Sequence, residues 1–138
     1  MNPRIFIIVA ATIWLAACAS YKTPDELRAH TQHKTSAAIE VEHKKLYTET
    51  LKQQRLCWER VGTFAYAQRV TGDFFETSSA ISVGIYSMSD PKILFVFDMQ
   101  AAGTKTEVTV SGVNAKTNEM YIEKMKLFAV GKSTSWCE

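Results

Sequence analysis

Apolar positions change their spacing along the chain, and each change marks a different element. Ile5 to Leu15 is an uncharged apolar run of eleven residues behind a single basic residue, Arg4. Thr23-Pro24-Asp25-Glu26 reads as a helix start: a threonine that caps, a proline suited to the first helical position, and a glutamate that completes a capping box. The stretch behind it, to Ser36, is polar with only Leu27 and Ala29 on a thin apolar face, which predicts an exposed or partly disordered helix. From Ala37, Ala38, Val41, Leu46, Tyr47 and Leu51 recur near helical spacing among Lys44, Lys45, Lys52 and Gln53, predicting a helix that runs to Arg55.

Beyond Cys57 the period drops to two. Trp58 to Val70 is rich in strand formers, and Thr71-Gly72-Asp73 predicts a turn. Ile81, Val83 and Ile85 then alternate with Ala80, Ser82, Gly84 and Tyr86. After a turn at Ser89-Asp90-Pro91, the segment KILFVFDM is apolar at almost every position, with Ile93, Phe95 and Phe97 on one side and Leu94 and Val96 on the other. Such a strand belongs in the middle of a sheet, covered on both faces. Ala102-Gly103 turns the chain again, Val108 and Val110 point inward, and a helix follows from about Asn118 to Val130, closed by Gly131 as its C-cap. The expected architecture is α+β: an N-terminal helix, a four-stranded antiparallel meander and a C-terminal helix packed on it. In element order this is similar to small helix-grip domains, including some lipoprotein subunits of the outer-membrane barrel-assembly machinery.

The first twenty residues carry a sharper signal. Eleven apolar residues fall short of the roughly 20 that cross a bilayer as a helix. A positive start, a short apolar core and small residues after it are the anatomy of a secretory signal peptide. Leu15-Ala16-Ala17-Cys18 within it resembles the lipobox of bacterial lipoproteins; the other reading is a stray cysteine in an ordinary signal peptide. The resemblance implies that the Cys18 thiol receives a diacylglycerol group, that the signal 1–17 is cut off, and that the new amino terminus is acylated, with palmitate-type chains. Two or more chains anchor stably where one does not. Ala19, standing where enteric relatives use Asp for inner-membrane retention, implies the outer membrane, facing the periplasm or the cell surface. The expected organisation is a signal 1–17, a lipidated tether or exposed helix 18–36, and a single periplasmic domain 37–138.

With Cys18 so used, Cys57 and Cys137 form an even pair, which in an exported protein reads as a disulfide; two free buried thiols are the alternative. Charge adds little. Sixteen basic against 14 acidic side chains give no strong attraction for nucleic acid, and none is expected as a partner.

Catalytic constellations are thin. His30, His33 and His43 fall roughly on one side at helical spacing, but zinc wants three or four ligands close together, so no metal or other cofactor is expected. Ser89 and Lys92 match a Ser-x-x-Lys spacing, interrupted by Pro91 and without its companion motifs. Asp73 and Glu76 flank an expected hairpin without a sugar cleft between them, and no phosphate loop or nucleophile elbow is present. Contact is the better-signalled chemistry. Phe74 and Phe75 are consecutive, so on a strand only one can face the core. Phase likewise puts Tyr66, Tyr86 and Val113 on the face away from the assigned core. The expectation is a non-enzymatic, membrane-anchored envelope lipoprotein that binds another envelope protein through Phe74, Tyr66 and Tyr86. The alternative is a lipid- or small-ligand-binding module with an apolar pocket between sheet and helix.

Overall fold

A computed structural model of the chain describes residues 20–59, 66–87 and 90–137. The apolar N-terminal run, Cys18 and Ser89 lie outside these residues. Among the described residues the chain forms three helices and a five-stranded, fully antiparallel sheet. In chain order these are α1 (Pro24–His30), β1 (Lys34–Ile39), α2 (His43–Trp58), β2 (Tyr66–Phe74), β3 (Ser78–Ser87), β4 (Lys92–Ala102), β5 (Lys105–Gly112) and α3 (Ala115–Ala129). No helix among them is long and apolar enough to cross a membrane.

The four expected strands are joined by a fifth, β1, which pairs with β5 from Lys34 opposite Ser111 to Ile39 opposite Thr106. The sheet order is β1-β5-β4-β3-β2, so β1 and β2 are its two edges and α2 crosses one face between them. The single helix expected from Ala37 to Arg55 is therefore a strand, a tight corner and a helix. Thr35, Ala37 and Ile39 turn inward along β1 with period two, and the Thr106 hydroxyl donates to the Val41 carbonyl at 2.7 Å to hold the corner. Alanines tolerate either state, and Glu40-Val41-Glu42 carries no glycine or proline to announce the break.

The segment 18–36 is also more than a tether from Tyr21 onward. The Ile93 amide donates to the Tyr21 carbonyl at 2.7 Å. Thr23 caps α1 by accepting from the Glu26 amide at 3.2 Å, while the Glu26 carboxylate accepts from the Lys22 amide at 2.8 Å. Leu27 is fully buried against Ile93 and Val96, with Tyr21 and Tyr86 packed around them. The sheet is thus a middle layer. α2 and α3 cover one face over a core that includes Leu46, Ile81, Phe97, Val110, Tyr121 and Met125. α1 covers part of the other. Leu27→Ala is expected to cost about 2–3 kcal/mol, a large-to-small change at a closed site, read as a lower urea midpoint.

Two further differences have local causes. Thr71-Gly72-Asp73 is not a turn but the interior of β2. A Cβ at Gly72 would stand 2.5 Å from the Tyr47 hydroxyl on α2, so a larger residue there would require Tyr47 to move. In β4 the strict alternation breaks: Val83 lies opposite Phe95 and Gly84 opposite Ile93, so Leu94 is an extra residue in the ladder. That bulge puts Ile93 with Val96 on the α1 face and Leu94 with Phe95 and Phe97 on the α2–α3 face. The expected turns at Gly103 and Gly131 stand, and both residues have positive φ. α3 starts earlier than expected, because the Asn114 side chain caps it by accepting from the Lys116 amide at 2.9 Å.

Cys57 and Cys137 are bonded, with their Cα atoms 4.9 Å apart and a sequence separation of 80. The bridge ties the chain end to the last turn of α2 and seats Trp136, 2% exposed, in the core.

Candidate binding surface

β2 and β3 meet in a hairpin whose tip is residues 75–77. The Phe75 amide donates to the Ser78 carbonyl at 2.8 Å, and the Ala101 amide on β4 donates to the Thr77 carbonyl at 2.9 Å. The first bond closes the turn and the second ties it to β4. The two phenylalanines part as strand geometry requires. Phe74 turns to the helix layer, where its ring stacks on His43 at 5.1 Å and 17° and leans on Tyr47 at 5.0 Å. Phe75 points the other way and is 66% exposed.

Beside Phe75 opens a groove of about 400 Å³ on the half of the sheet that α1 leaves uncovered. Ala80, Asp98, Gln100, Glu107 and Thr109 line it from three adjacent strands. Small side chains keep its floor low, and hydroxyl pairs bridge neighbouring strands on the same face: Thr109 to Ser36 at 2.8 Å, and Thr71 to Ser82 at 2.5 Å. Asp98 is gripped by Arg28, whose Nε donates to both carboxylate oxygens at 3.1 and 2.9 Å and whose Nη2 donates to one at 2.7 Å. Those hydrogen bonds raise the guanidinium pKa against the opposing effect of burial. Arg28 Nη1 also donates to Asp25 at 2.6 Å, so one guanidinium is shared by two carboxylates, and Glu107 adds a further negative charge to the groove. The surface can accept hydrogen bonds, present an aromatic edge and favour a neutral or cationic ligand.

The expected contact residues separate. Phe74 is 40% exposed but spends its inner face on His43 and Tyr47. Tyr86 is half-buried under Tyr21 and α1, covered by the chain's own N-terminal segment. Tyr66 opens β2 opposite Ser87, and its side chain lies outside the described ones. Val113 is 46% exposed but sits at the opposite end of the sheet from the hairpin tip, just beyond β5. The groove brings together Phe75 with Asp98, Gln100 and Glu107, which sequence reasoning did not single out. Asp98 carried a signal, as the one acid in an otherwise apolar strand.

The histidines do not share a helix face: His30 ends α1, His33 precedes β1 and His43 opens α2. His43 Nε2 lies 2.8 Å from the Ser79 hydroxyl, a contact with the look of a nucleophile and its base. Both residues are buried, at 3% and 5% exposure, on the face of the sheet under α2. The pair pins the start of α2 to β3. Between sheet and helices, Tyr121, Phe97, Leu46 and Trp136 are buried in one cluster.

No family model, curated protein or solved structure matches this chain.

Proposed function

We propose that the chain is a lipoprotein, cut after residue 17 and anchored through Cys18 in the bacterial outer membrane. It works there as a non-enzymatic accessory, assembly or protein-interaction subunit, facing the periplasm or the cell surface. One observation carries the binding half of this reading: an exposed aromatic, Phe75, beside an open polar groove on a sheet face that the protein's own helices cover only in part. The Cys57–Cys137 bridge supports the compartment, since such bonds persist in oxidising envelopes and are rare in the cytosol.

Two measurements test it. Cys18→Ser is expected to stop maturation and to change fractionation with the outer membrane; a variant that matures and fractionates like the parent rules out lipidation. A photo-crosslinking residue at position 75 in intact cells is expected to give a discrete adduct that the same residue at exposed Lys52, on the helix layer, does not give. Phe75→Ser should weaken partner capture several-fold while shifting stability by no more than about 0.5 kcal/mol, as surface changes do. Equal adducts from both positions would remove the groove as the site.

A further inference from the structure

The point where the chain enters the domain fixes which way the domain faces. Antiparallel pairing gathers one set of strand ends along a line: Tyr66 opposite Ser87, Phe95 opposite Gly112, and Lys34 opposite Ser111. Tyr21 is fastened to this end by the Ile93 amide, and the neighbouring Lys22 ammonium lies 3.4 Å from the Asp90 carboxylate. From Cys18 to Tyr21 is three residue steps, at most about 11 Å of extended chain. The headgroup layer on each side of a bilayer is about 5–8 Å thick. A lipid on Cys18 therefore leaves no room for the domain to swing free of the surface.

We infer that this end of the domain rests against the bilayer, and that the groove and Phe75 point away from it. The inference stands on the lipidation of Cys18 proposed above. The short tether and its point of entry beside Ile93 carry it. Leu56, 69% exposed in the last turn of α2, and Val113, 46% exposed after β5, belong to the anchored end. Lys34, Lys92 and Lys116 open β1, β4 and the first turn of α3 there, and they form no ion pair among the described residues. Exposed apolar side chains ringed by unpaired cations suit the headgroup region of a membrane containing anionic lipid. The far end has exposed apolar side chains as well, Phe75 at 66% and Val130 at 70%, with Lys44 and Lys132 in no ion pair among the described residues, so the chain's entry point and not surface composition sets the orientation.

Amine labelling tests this on the mature protein purified from membranes and reconstituted in vesicles of phosphatidylethanolamine and phosphatidylglycerol. Intact mass first reads the lipid on Cys18. Acetylation by a water-soluble ester is then mapped by mass at each lysine, against the same protein in detergent with the lipid present. Lys34, Lys92 and Lys116 are expected to react about threefold more slowly, or less, on the vesicle than in detergent, where headgroups cover them. Lys44, Lys105 and Lys132, at the far end, are expected to react at unchanged rates. A mass without lipid overturns the anchoring and this orientation together. A lipidated protein whose far-end lysines are protected, or whose two ends react alike, overturns the orientation alone.

Discussion

Replacing Cys57 and Cys137 together by alanine is expected to lower the free energy of unfolding by about 4 kcal/mol, the chain-entropy value for a loop of this length. The bridged residues lie 80 apart in sequence, so most of the domain sits inside the loop that the bond closes. A chain without it regains that freedom when unfolded. The folded state loses too, because the bond holds a tail that has no regular structure after Gly131 yet buries Trp136 to 2% exposure. Urea denaturation reads the change as a midpoint lower by roughly 2 M at an ordinary denaturant slope. Reduction of the parent protein should give the same midpoint as the double alanine variant. A shift under about 1 kcal/mol would mean that the unfolded chain gains little freedom and that the tail stays seated unaided.

A comparable loss, about 4 kcal/mol, is expected for Tyr121→Ala, from the range for removing a buried aromatic ring. Tyr121 is 1% exposed and joins the three parts of the main core. Its ring meets Phe95 edge-on at 5.4 Å and Phe97 at 5.1 Å on the central strand. Its hydroxyl accepts from Trp58 Nε1 on α2 at 3.1 Å. Tyr121→Phe keeps the ring and removes that acceptor, for an expected cost of about 1 kcal/mol. The two variants separate packing from hydrogen bonding, and equal losses would assign the whole effect to the hydroxyl. Burial raises the phenol's pKa in the folded protein. The parent's stability should therefore hold below the unfolded value near 10 and fall as pH climbs from there through the folded value. Tyr121→Phe should lack that part of the alkaline loss.

Elements whose sequence carries both a period and a stop were legible. The α1 start is written in Thr23-Pro24, the end of α3 in Gly131, β3 and β5 in clean alternation, and β4 in an unbroken apolar run with Gly103 at the turn after it. The disulfide followed from counting cysteines once Cys18 was set aside. What failed lacked local punctuation. β1 is hidden by two alanines and by a corner built from a distant partner, Thr106, which no local window contains. Gly72 resembles a turn residue, and the feature that marks its place, the approach of Tyr47 from α2, is tertiary. The bulge at Leu94 leaves no trace in the unbroken apolar run from Ile93 to Phe97. The groove was invisible for the same reason: its walls come from strands far apart in sequence, and α1 had to be placed before an uncovered half existed.

The pairing of β1 with β5 also sets an order of events. Synthesis delivers the chain N-terminus first, so residues 34–39 emerge about seventy positions before their partner at residues 106–111. Until then one side of β1 has nothing to pair with, whereas β2, β3 and β4 can zip together as each appears. Long-range closure of this kind is slow relative to hairpin formation. Of the four strand pairings β1–β5 closes the longest loop, and it is expected to form after the three hairpin pairings β2–β3, β3–β4 and β4–β5.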